Sequence, residues 1–159
     1  MNKISFCPLL LILGLFSCSS STKEQGSDEV VLSPEQQQVK DLENKVLDIH
    51  DEVMPQMGTL VSLKEQLQAK NQTLSSSNHP DAYDQVILND LVITNLDQAH
   101  EEMMDWMRNY QRIDISGDVN ANRDYLQKEK AKIASVQGHV NNAIKSAQEA
   151  LENNGTIEQ

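Results

Sequence analysis

Val39, Val46, Val53, Leu60, Leu67 and Leu74 recur at intervals of seven. Leu42, Ile49 and Leu63 fill the intervening seam position, with Gln56 and Lys70 as polar exceptions. Five heptads of this kind describe a helix that buries one narrow stripe against partner helices. A half-buried strand would alternate with period two, and no window of the chain does so for long.

The boundaries of this first helix are legible. Ser33-Pro34-Glu35-Gln36 offers an N-cap, a proline at the first helical position and a polar first turn. Ser75-Ser76-Ser77-Asn78-His79-Pro80 ends the pattern at about residue 74. A second helix is expected over about residues 80–112, with Val86, Ile93, Leu96, His100, Met103, Met107 and Tyr110 as its stripe. Asp114 to Asn120 contains Gly117 and reads as a loop. A third helix is expected over about 122–153, with Leu126, Ile133, Val136, Val140, Ala143, Ala147 and Leu151 inward. Its alanines and Gly138 make it the weakest of the three. The expected fold of residues 34–159 is all-α, an antiparallel, coiled-coil-like three-helix bundle. At 1.5 Å per residue its helices are roughly 45–60 Å long. Each layer of so slim a bundle holds few side chains, which leaves little room for a buried small-molecule cavity. Aromatic residues are 4% of the chain, and both phenylalanines lie in the first 16 positions.

Those first positions have a different logic. Met1-Asn2-Lys3 is basic, and Ile4 to Phe16 is an apolar run too short to span a bilayer. Leu15-Phe16-Ser17-Cys18 resembles the bacterial lipoprotein signal. The resemblance implies removal of residues 1–17, acylation of Cys18 and attachment to the membrane through lipid, stable when several chains are present. Ser19, where inner-membrane retention uses Asp, implies an outer-membrane lipoprotein of the cell envelope, facing the periplasm or the exterior. Residues 18–33 are then the lipidated cysteine and a disordered acidic tether, spanning about 20 Å as a coil. Cys7 leaves with the signal, so neither a disulfide nor a thiolate metal site is expected. Thirteen basic against 24 acidic residues give a net charge of −11. That sign excludes nucleic acid as a partner, and adhesion to anionic lipid by charge.

One motif occurs twice. Residues 50–57 are His-Asp-Glu-Val-Met-Pro-Gln-Met, and residues 100–107 are His-Glu-Glu-Met-Met-Asp-Trp-Met. Both follow the pattern His, acid, Glu, apolar, Met, x, x, Met. His50, Met54, Met57, His100, Met103, Met104 and Met107, with Trp106 among them, make a candidate interaction or metal belt. Antiparallel helices about a turn centred near residue 77 pair positions whose numbers total about 154. His50 is then level with Met104, and His100 with Met54. Pro55 interrupts the first copy, where a helix interior loses about 3 kcal/mol and kinks.

Three readings fit the belt. Met is a flexible gap-filler, so a methionine stripe at helical spacing is first of all core packing. Thioether and imidazole together also suit a soft ion such as Cu(I), which a periplasmic protein would sequester. Haem is disfavoured by the narrow bundle and by the missing Cys-x-x-Cys-His attachment. A Met-rich patch bearing Trp106 and flanked by acids also suits a protein partner or self-association. An enzyme is not expected. His100-Glu101-Glu102-Met103-Met104 misses the zinc motif His-Glu-x-x-His at its last position, and there is no phosphate loop or activated nucleophile.

The segment 50–57 together with Met103-Met104-Asp105-Trp106-Met107 resembles a family of small helical bacterial lipoproteins of unknown function. Some of its members are labelled viral A-type inclusion proteins, a label that reflects coiled-coil composition. The resemblance covers residues 39–113 and implies an anchored envelope protein with no established site. The expectation is therefore a non-enzymatic envelope protein with an interaction or structural role through the belt.

Overall fold

The computed structural model describes residues 31–78 and 80–152. The signal, Cys18 and all but the end of the tether lie outside the described residues. What is described is helical: α1 (Pro34–Val53), a 3-10 turn (Met54–Gln56), α2 (Met57–Ser75), α3 (Ala82–Asn109) and α4 (Val119–Glu152). The first two helices and the turn between them make one continuous rod, against which α3 and α4 pack. No strand occurs among the described residues.

Local chemistry sets the ends. Ser33 accepts the Gln36 N–H at 3.2 Å while the Gln36 side chain accepts the Ser33 N–H at 2.9 Å. This reciprocal capping box satisfies two donors that a helix start leaves orphaned. At the other break, Pro55 cannot donate, and the chain tightens into the 3-10 turn without leaving the right-handed helical region. Val53 and Met57 on either side are both buried. The N-terminus of α4 is capped by Asp118, whose carboxylate accepts the N–H groups of Asn120 and Ala121 at 2.8 and 2.9 Å. That cap begins the helix at Val119, three residues earlier than its apolar pattern does. At its far end Lys70 donates to the Ala150 and Leu151 carbonyls at 3.1 and 3.2 Å. A cation at this end of the helix meets the negative end of its dipole.

The seam of the first rod is as its spacing requires. Val39, Val46, Val53, Leu60, Leu67 and Leu74 are all buried. So are Leu126, Ile133, Val136, Val140, Ala143 and Ala147 of α4. The second helix differs from expectation. Its buried residues are Ala82, Asn89, Leu96, Ala99, Met103 and Trp106. The helix is rotated from the stripe drawn through Val86, Ile93, His100 and Met107, because two alanines and an asparagine hold seam positions. Asn89 is 2% exposed and donates to Asn71 Oδ1 at 2.7 Å, while Asn71 donates to Asp90 at 2.8 Å. A buried, satisfied asparagine of this kind fixes the register of a helix pair.

The helix also ends earlier than expected. Tyr110 is already extended, with φ −67° and ψ 130°. Residues 110–118 fold back so that Ile113 and Ile115 pack against the core, and Gln36 donates to the Ile115 carbonyl at 3.1 Å.

Gly138 lies in the exposed middle of α4, and a Cβ there meets nothing within 4 Å. Gly138→Ala therefore removes unfolded-state entropy without strain. It is expected to add about 1 kcal/mol of stability and to raise the thermal midpoint by a few degrees in a calorimetric scan. A lowered midpoint would contradict this packing of α4.

Candidate functional site

The belt residues come from the C-terminal part of α1, the 3-10 turn, the first residue of α2 and the last turns of α3. Met57 and Met103 are buried in the core, 7% and 0% exposed. Met54, Met104 and Met107 are half-buried against it. Trp106 is 7% exposed and belongs to the core as well. Much of the belt is thus packing, and its half-exposed rim is what remains available.

The register separates the two histidines. Lys64 pairs with Asp97 at 2.7 Å and Asn71 with Asp90 at 2.8 Å, so paired numbers here total 161 rather than 154. The turn is longer than its serines indicate, since α3 begins only at Ala82, and Asn71–Asn89 holds the offset. His100 lies beside Leu60, Val61, Lys64 and Asp97 in one groove, instead of beside Met54. His50 lines another, with Leu47, Trp106, Met107, Tyr110 and Arg112, a cavity of about 260 Å³. Its Nδ1 is 2.8 Å from Asp51 Oδ1. Among the described residues no group of three or more His, Cys, Asp or Glu side chains is arranged to hold a metal ion.

A feature the sequence conceals joins three elements. The His50 ring lies 5.7 Å from Trp106, Trp106 stacks on Tyr110 at 4.8 Å, and Tyr110 stands 6.2 Å from Tyr125 of α4. Such offset contacts add about 1 kcal/mol each beyond the area they bury. Tyr125 accepts the Gln111 N–H at 2.7 Å, which ties the ladder to the 110–118 loop. Two glutamates are buried nearby, Glu43 at 3% and Glu129 at 5% exposed. Each is paired within its own helix, to Lys40 and Lys132 respectively, at 2.7 Å. The Ile113 N–H points at Glu43 Oε1 from 3.4 Å. Burial, and after it the charge of Glu43, pushes the Tyr110 hydroxyl up to about 12.

Glu129 also lines the groove between α3 and α4, about 430 Å³, with Glu102, Asp105, Trp106, Asn109, Lys132 and Val136. Below it His139 bridges the two helices, with Nδ1 2.8 Å from Glu102 and Nε2 2.8 Å from Asn95. Neither glutamate, nor His139, carries a sequence signal that marks it, because each sits in a polar stretch and gains its partner only when the helices meet. The groove is open to solvent, and its carboxylates are already paired. It can bind by contact.

No helix among the described residues is long and apolar enough to cross a membrane. Compared with protein-family models, with curated proteins and with solved structures, the chain finds no match in any of the three.

Two outcomes follow. Trp106→Ala deletes a buried ring and should cost about 3–5 kcal/mol in chemical denaturation. A change below 1 kcal/mol would mean that the indole is a surface anchor instead. Tyr110 is held neutral in the fold above its ordinary value of 10.0. The unfolded chain therefore ionises first, and the stabilisation present below pH 10 is lost as pH rises toward 12. Tyr110→Phe should flatten that part of the alkaline stability curve.

Proposed function

We propose that this chain is a non-enzymatic, lipid-anchored protein of the bacterial cell envelope, which works by binding another protein through the half-exposed rim of its Met/His belt. The observation that carries the reading is the groove of Leu47, His50, Met107 and Arg112 over the Trp106–Tyr110 stack. Its floor is held in place, because Trp106 is buried in the core and half-buried Tyr110 stacks on it. Its rim is adaptable, because Met107 has a flexible thioether chain that repacks at little cost. A fixed aromatic floor with a soft rim favours contact with a side chain of a partner over chemistry on a small molecule. The anchor rests on Leu15-Phe16-Ser17-Cys18, followed by a polar stretch that leads to the cap at Ser33.

The anchor and the contact are tested separately. Feeding cells an alkynyl fatty acid should label the protein, and Cys18→Ala should abolish the label. An unlabelled wild-type chain removes the anchor from the proposal. A photo-crosslinking residue in place of Met107 should give a discrete heavier adduct in cells, and one in place of Asn120 should not. Absence of any adduct from position 107 defeats the contact.

A further inference from the structure

The first three turns of α3 carry an outward apolar stripe as well as an inward one. Ala82 and Asn89 face the core, while Tyr83, Ile87, Leu88 and Leu91 face solvent with 75%, 43%, 61% and 63% of their surface exposed. At 100° per residue Tyr83, Ile87 and Leu91 form one stripe, with Leu88 on its flank. Solitary exposed apolar residues are ordinary, but four within nine positions make a patch of the kind that marks an interaction site. The orientation is enforced. Turning the stripe inward would swing Asn89 away from Asn71, which leaves a buried amide without its partner.

The bundle itself does not cover the patch. Lys70 grips the last carbonyls of α4, at Ala150 and Leu151. In the α2–α3 register Lys70 is level with Leu91. Tyr83, Ile87 and Leu88 therefore lie past Glu152 of α4, at a level where, among the described residues, α2 and α3 pack against each other.

Charge selects the occupant. Between Lys70 and Arg108 the chain has no lysine or arginine, and it has seven carboxylates. On the helix surface Asp84 falls between Leu91 and Leu88, and Asp90 falls beside Tyr83. A second copy of this patch would bring its own aspartates against these, in a chain that already carries −11. An anionic lipid surface meets the same repulsion. A helix with leucine-like residues on one face, flanked by lysine or arginine, satisfies both the apolar stripe and its acids. We propose that this face of α3 docks a basic amphipathic helical segment of a partner protein. The site is distinct from the belt and does not depend on it.

The test uses the full chain and a labelled amphipathic peptide of Leu and Lys, about 18 residues long so that it is helical, read by fluorescence anisotropy. Binding is expected, weakening as salt is raised. Leu88→Ser/Leu91→Ser should weaken it about tenfold or more, as loss of two apolar anchors requires. Val61→Ser, at an exposed apolar residue elsewhere, should leave it unchanged. Asp84→Lys changes no apolar contact. It should weaken the Leu/Lys peptide and strengthen a Leu/Glu peptide of the same pattern. The proposal is overturned if the Leu88/Leu91 variant keeps wild-type affinity, or if Asp84→Lys leaves both peptides unchanged. It is overturned equally if sedimentation shows a dimer that the Leu88/Leu91 variant abolishes, since a second copy is then the occupant.

Discussion

The continuous seam from Val39 to Leu74 is the constraint on which the bundle depends. Both α3 and α4 dock on it, and it survives the one residue that ought to break it. Pro55 removes a donor that would serve the carbonyl of Asp51, but both residues are exposed, so water can satisfy that carbonyl. The 3-10 turn absorbs the steric clash while Val53, Met57 and Leu60 remain inward. A proline on the solvent face of a seam helix thus costs much less than one on its buried face.

What the sequence discloses follows from how each seam is built. The first rod and α4 carry large aliphatic residues or alanine at seven-residue spacing, so their inward faces can be drawn from the pattern alone. The α3 seam is made of Ala82, Asn89 and Ala99 with Leu96, Met103 and Trp106. Hydrophobicity then points the wrong way for its first half, because the larger side chains are the exposed ones. The repeated His/Met motif misleads for a related reason. Its symmetry suggests convergence about a turn at residue 77, yet register is set by the Asn71–Asn89 bond and by a turn that reaches Asp81. An offset of that size moves His100 past Met54 and leaves the two copies of the motif in different grooves.

The aromatic ladder and the buried glutamates belong to a class that one chain's pattern cannot disclose. His50, Trp106, Tyr110 and Tyr125 come from three helices and the start of a loop, and they meet only because that loop leaves α3 at Tyr110. Glu43 and Glu129 are buried close to this layer, each with a lysine three residues on or back. The lysines are 41% and 63% exposed, so each pair is partly solvated and its net contribution to stability is small. Both pairs are intrahelical, so the alignment of the helices rests on bonds made between them, such as Asn89–Asn71 between α3 and α2.

The carboxylates of α3 account for how an exposed apolar stripe is tolerated there. A patch with Tyr83, Ile87, Leu88 and Leu91 outward would ordinarily invite self-association. Here any two copies that approach through it bring together helices with no lysine or arginine over most of their length. Repulsion between like charges, which salt screens only beyond about 10 Å, acts at the contact distances where the apolar faces would otherwise join. The charge that keeps copies apart is the charge that a basic partner neutralises. One distribution of side chains therefore serves as protection for the free protein and as selection for what binds it.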